Sequence, residues 1–168
     1  MTAVYVIMGV SGCGKTTVGR ALAAELGCPF YDGDDFHPPE NVAKMAQGIP
    51  LDDADRAPWL ARLAALIRGR MEREETAVLA CSALKRPYRE QLRVAGQARF
   101  VYLHGTFDLI RQRMQQRGAH YMPAALLRSQ FAALEPPGPQ EALIVDAALP
   151  VDAIVAAIRR AHHSETTT

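Results

Sequence analysis

Val4-Tyr5-Val6-Ile7-Met8-Gly9-Val10-Ser11-Gly12-Cys13-Gly14-Lys15-Thr16 is the stretch that decides the fold. Its first five residues are a short apolar run that ends at a glycine, the pattern of a buried strand. Gly9 to Thr16 then fit G-x-x-x-x-G-K-[ST], the phosphate-binding P-loop. From Lys15 the pattern turns helical, with Val18, Leu22 and Leu26 on one face. Strand, loop and helix in that order are the context the motif requires. The glycines let the backbone curl so that successive N–H groups point at phosphate oxygens, and the helix adds its positive N-terminal end. Lys15 brings a mobile positive charge, and the Thr16 hydroxyl suits Mg²⁺. Gly9, Val10, Ser11, Gly12, Cys13, Gly14, Lys15, Thr16 and Thr17 are therefore the expected contacts for ATP, with Mg²⁺ as its companion.

Outward from this stretch the chain alternates strand and helix signals, which predicts an α/β fold with a parallel sheet. Strands are expected at Val4–Met8, Pro29–Asp32, Ala77–Cys81, Phe100–Leu103 and Leu143–Val145. Helices are expected at Lys15–Leu26, Pro39–Gln47, Asp53–Glu74, Pro87–Val94, Phe107–Arg117, Pro123–Leu134 and Val151–Ala161. The longest of them carries Trp59, Leu63, Leu66, Ile67 and Met71 along one stripe, which reads as core. With 168 residues and 49% hydrophobic content, one domain with a substantial core is expected. A net charge of +1 gives no sign of a nucleic-acid or membrane partner. Cys13, Cys28 and Cys81 form no C-x-x-C pair, so a reduced, cytoplasmic setting is expected. The N-terminus shows no signal-peptide pattern, and no apolar run is long enough to span a bilayer. The polar stretch His162 to Thr168 reads as a frayed tail.

Two further patterns carry chemistry. Asp32-Gly33-Asp34 falls at the carboxyl end of the second strand, where ligands gather in open α/β sheets. One acid there suits Mg²⁺ through water, and the other suits the proton of an attacking hydroxyl. Val78-Leu79-Ala80-Cys81 ends without an acid for the metal, which makes Asp32 the metal candidate and Asp34 the proton acceptor. Arg113 and Arg117 stand four apart on a basic helix that breaks at Gly118-Ala119-His120. They are candidates for neutralising a transferring phosphoryl group from a hinged lid at about 112–124, with Arg111 facing elsewhere.

These patterns resemble those of the gluconokinase family. The resemblance rests on the P-loop, on Asp32-Gly33-Asp34 with His37-Pro38, and on Asn41-Val42-Ala43-Lys44-Met45. It continues through Asp55-Arg56-Ala57-Pro58-Trp59-Leu60, Cys81-Ser82-Ala83-Leu84-Lys85 with Tyr88-Arg89, and then Arg113, Arg117, His120 and Ser129-Gln130-Phe131. Cys13 stands where serine is common, and Thr16-Thr17 replace a serine-containing pair. The resemblance implies ATP-dependent phosphorylation of D-gluconate at its 6-hydroxyl. It also implies a P-loop NTPase fold of five parallel strands flanked by helices, with a lid, and a homodimer.

Gluconate carries a carboxylate at one end and hydroxyls along the rest. Its pocket needs cations at the far end and neutral hydrogen-bonding groups between. The helices at about 35–74 are expected to form the acceptor side. Arg56 is the first candidate for the carboxylate, against a capping ion pair with a neighbouring aspartate. Lys44, Lys85 and Arg89 are possible helpers, against solvated side chains. His37 and Gln130 are candidates for hydroxyls, and His120 joins the acceptor set through the resemblance. Shikimate kinase, a nucleoside monophosphate kinase and a non-catalytic nucleotide switch stand as alternatives.

Overall fold

The computed structural model describes residues 2–93, 98–117 and 124–166. Five strands form one sheet: β1 Val4–Met8, β2 Phe30–Asp32, β3 Ala77–Ala80, β4 Ala98–His104 and β5 Leu143–Asp146. Their order is β2-β3-β1-β4-β5. Every pairing is parallel, and Val4 stands opposite Ala77 on one side and Ala98 on the other. The P-loop thus leaves the central strand. All five residues of β1 are buried, as a strand covered on both faces must be.

Alternation along β1 divides the core. Tyr5 and Ile7 face a layer that includes Val18 and Leu22 of α1 (Lys15–Leu26) and Ile154, Val155 and Ile158 of α7 (Val151–Thr166). Val4, Val6 and Met8 face the other layer, built on Trp59, Leu60, Leu63 and Ile67 of α3 (Asp53–Glu72). Tyr88 and Leu92 of α4 (Arg86–Leu92) complete that second layer. The remaining helices are α2 (Pro39–Ala46), α5 (Phe107–Gln116) and α6 (Ala124–Ala133).

Two glycines are required by geometry. Gly14 caps α1 at φ +103°, a left-handed conformation that a side chain would strain. Gly33 opens a single 3-10 turn, Gly33–Phe36, after β2, where a Cβ would lie 2.6 Å from the Ala80 carbonyl oxygen. Close approach of that turn to β3 is what brings its aspartates beside the P-loop.

The tail departs from expectation. Helix α7 runs through residues 162–165 instead of fraying there. The reason is packing: the His162 ring meets Tyr5 edge-on at 5.6 Å between centroids, and Glu165 pairs with Arg99 on β4.

Candidate active site

A cleft of about 420 Å³ opens at the carboxyl ends of β1, β2 and β3. Its floor is the P-loop. Ser11, Gly12, Gly14, Lys15, Thr16 and Thr17 line it directly. Gly9, Val10 and Cys13 lie beneath, with Val10 and Cys13 buried in the core. Packing sets this layer: a Cβ on Gly9 would sit 2.8 Å from the Cys13 sulfur. Lys15 Nζ donates to the Gly9 and Val10 carbonyls at 2.9 and 3.0 Å. The lysine is thus folded back on its own loop.

The acid turn stands beside the floor. Asp32 caps the 3-10 turn, its Oδ1 accepting from the Asp34 N–H at 3.0 Å. Both aspartates line the cleft. Desolvation raises the Asp34 pKa above its ordinary 3.8, the Asp32 and Asp35 charges push it further up, and Lys15 opposes them. A carboxylate so placed is a better proton acceptor than a free one.

The acceptor wall is built by α2, α3 and α4. Asp52 and Asp55 form a capping box at the start of α3: Asp52 Oδ1 accepts from the Asp55 N–H at 2.7 Å, and Asp55 Oδ2 accepts from the Asp52 N–H at 3.0 Å. The next residue, Arg56, lines the cleft. Its Nη1 donates to the Tyr88 hydroxyl at 3.3 Å, and its guanidinium lies over the Tyr88 ring, 5.7 Å from the centroid. Lys85 joins the group 5.9 Å from the same ring centroid. Asp53 is the common counter-charge, hydrogen-bonded by the Tyr88 hydroxyl and 4.0 and 3.9 Å from Arg56 and Lys85. The expected ion pair with a neighbouring aspartate is present, at 4.0 Å from Asp53. Arg56 faces the cleft and shares a weak contact with an exposed aspartate.

Other expected residues have different positions. Lys44 is outside the cleft and donates to both Asp55 carboxylate oxygens at 2.8 Å, so its charge is spent fixing the start of α3. Arg89 is 1% exposed rather than solvated. Its guanidinium pairs with Glu141 at 2.6 Å and donates to the carbonyls of Ala83, Leu84 and Glu135. It clasps the loop after β3 to the segment just past α6 and to the approach to β5. Gln130 does line the cleft, but its amide is engaged by Ser11: its Oε1 accepts from the Ser11 N–H at 2.7 Å, and its Nε2 donates to the hydroxyl at 3.0 Å. Of the two lid arginines, Arg117 lines the cleft and Arg113 does not. His120 and the Gly118 hinge lie outside the described residues.

Sequence reasoning missed several contributors. Ser82 lines the cleft, and its carbonyl accepts from the Gly9 N–H at 3.2 Å, joining the loop after β3 to the P-loop. Ala83 beside it has φ +45°, rare for a residue with a side chain and held by the Arg89 bond to its carbonyl. Met45, Ile49 and Leu51 supply an apolar rim. Tyr88 was marked only by the family resemblance, within Tyr88-Arg89, with no role attached to it.

A P-loop after β1, two aspartates at the end of β2, one strand removed, and a cationic wall around one cleft define a small-molecule kinase of the P-loop class. The shikimate kinase family model matches residues 11–133. The thermosensitive gluconokinase of Escherichia coli is 49% identical over 142 residues, covering 84% of this chain and 76% of that protein. The gluconokinase of Gluconobacter oxydans is 52% identical over 140 residues, covering 83% and 79%. The crystal structure of a gluconokinase from Sinorhizobium meliloti superposes with a TM-score of 0.87 at 43% identity, over 99% of this chain and 97% of that one. The chain belongs to the gluconokinase family, within this shikimate kinase type of P-loop fold.

Proposed function

We propose that this chain transfers the γ-phosphoryl group of ATP to the 6-hydroxyl of D-gluconate. The observation that carries the reading is that Lys15 and Arg56 line one cleft. A phosphate cradle and a carboxylate-binding cation in the same cavity suit an acceptor that is a hydroxy acid. Family membership supports gluconate as that acid.

In the transfer, the acceptor oxygen attacks Pγ, the bond from Pγ to the bridging oxygen breaks, and ADP leaves. The hydroxyl proton passes to Asp34, whose raised pKa suits it to hold that proton. The transition state is loose, so much of the aspartate's contribution is orientation of the hydroxyl. Lys15 exchanges its two carbonyl contacts for phosphate oxygens, and Arg117 neutralises charge on the transferring group. The Thr16 hydroxyl and the Asp32 carboxylate are hard oxygen donors at the phosphate end. They fit Mg²⁺, which takes one or two protein oxygens together with phosphate and water. Bound there, the ion supplies charge neutralisation on the β- and γ-oxygens.

A single domain over 1–168, a homodimer and a cytoplasmic setting belong to the same reading. A net charge of +1 supports the absence of a nucleic-acid partner. Among the described residues no helix is long and apolar enough to cross a membrane. ADP release from ATP, measured with gluconate, shikimate or a nucleoside monophosphate as acceptor, tests the reading. Gluconate-dependent release is expected. Turnover with either other acceptor and none with gluconate overturns it.

A further inference from the structure

Asn41 is 2% exposed on α2, an unusual place for an amide on a short polar helix. Its Nδ2 lies 2.8 Å from the Asp55 carbonyl oxygen and 3.2 Å from His37 Nδ1. A carbonyl oxygen only accepts, so this nitrogen is the amide NH₂, and its second hydrogen is the one facing the imidazole. Nδ1 of His37 must then be the accepting nitrogen, and the ring proton resides on Nε2. The ring plane is fixed as well. His37 stacks on Trp59 at 4.3 Å between centroids and 14° between planes. Trp59 in turn donates from Nε1 to the Gly33 carbonyl at 2.7 Å. His37 lines the cleft, and among the described residues its Nε2 has no hydrogen-bond partner.

We infer that Asn41 is a positioning residue that locks His37 as an Nε2–H donor toward an oxygen of the acceptor. His37 is then a specificity residue and not a base, because its basic nitrogen is taken by Asn41. Burial and the nearby Arg56 charge keep the ring neutral, lowering its pKa from 6.5. The same bonds tie the acid turn, through Gly33 and Trp59, to the helix that presents Arg56. What the donor meets rests on the gluconate reading; the tautomer does not.

The experiment has a substrate-free arm and a kinetic arm. The ¹⁵N spectrum of the unsubstituted protein should show His37 as the neutral Nε2–H tautomer at neutral pH. Glutamine carries its amide where Nε2 stands and asparagine where Nδ1 stands. His37→Gln should therefore hold the gluconate KM within about 3-fold, and His37→Asn should raise it roughly 10-fold, the scale of one lost hydrogen bond. The ATP KM should stay unchanged in both. In Asn41→Asp the carboxylate accepts from the ring, so the proton should move to Nδ1 and the gluconate KM should rise by a similar factor. An Nδ1–H tautomer in the unsubstituted protein overturns the inference, and so does equal loss in His37→Gln and His37→Asn. Should Asn41→Asp fail to fold, those two arms still decide. An Nε2–H spectrum in a protein that does not phosphorylate gluconate upholds the lock and removes the gluconate reading instead.

Discussion

The two walls of the cleft are made of different material. The P-loop wall is one contiguous loop, with Gly9, Gly12 and Gly14 at positive φ and a lysine and a threonine at its end. The acceptor wall is side chains from three helices, and its charges are already partnered inside the protein. Lys44 is held by Asp55, Arg89 by Glu141, and Arg56 and Lys85 share Asp53. Binding to a loop wall depends on the conformation of one contiguous segment. Binding to a side-chain wall depends on which charges remain available after the fold has used the rest.

That contrast can be broken by substitution. The largest effect belongs to the acid turn between the walls. Asp34→Asn keeps shape and removes the accepting charge, so turnover should fall about 10²–10⁴-fold with ATP affinity nearly constant. Steady-state kinetics with equilibrium nucleotide binding checks this, and normal turnover would remove Asp34 from the chemistry. On the P-loop wall, Lys15→Ala should lower turnover roughly 10²-fold or more, about 3 kcal/mol, without loss of fold. On the side-chain wall, Arg56→Ala should raise the gluconate KM roughly 10–100-fold, the scale of a charged hydrogen bond, and leave uncharged polyols little affected. Equal proportional losses for gluconate and a polyol would make Arg56 a purely structural group. The smallest effect is expected of Lys44→Ala. It should lower the thermal midpoint slightly and leave the gluconate KM within about 2-fold, because a half-exposed pair outside the cleft contributes little. If Lys44→Ala matched Arg56→Ala in KM, the distinction between spent and available charges would fail.

The same division explains how much was legible in the sequence. The bounds of β1 and α1 coincide with those expected, because their signals are local: an apolar run, a glycine motif and a 3.6-residue period. All five strands fall within a residue or two of where they were expected, the buried β1 and β3 on their apolar runs and the partly exposed β2 and β5 at the sheet edges. Lys15, Thr16, Asp32 and Asp34 were likewise readable and share the cleft. Arg89 was not, because its partner Glu141 is 52 residues away and nothing near Arg89 announces a buried cation. Gln130 and Ser11 are 119 residues apart, so an amide that braces the P-loop reads from sequence as a free polar group. Asn41 resembles any helix-surface asparagine until Asp55 and His37 are seen on either side of it.

The Arg89 clasp has a consequence for heat. One guanidinium holds the loop that carries Ser82 and Lys85, the segment just past α6 (the helix of Gln130), and the segment leading into β5. Its removal strips the Glu141 carboxylate of its nearest counter-charge, leaving Arg93 at 3.8 Å, and takes a donor from the Ala83, Leu84 and Glu135 carbonyls, a loss of about 3–5 kcal/mol for a pair of this kind. The loop that shapes the cleft and the segment that leads into the edge strand β5 therefore share a single fastening. On warming, activity and tertiary structure should disappear over the same few degrees, with no interval in which a folded chain has lost its cleft. Calorimetry and residual turnover followed on one sample will show whether the two curves coincide.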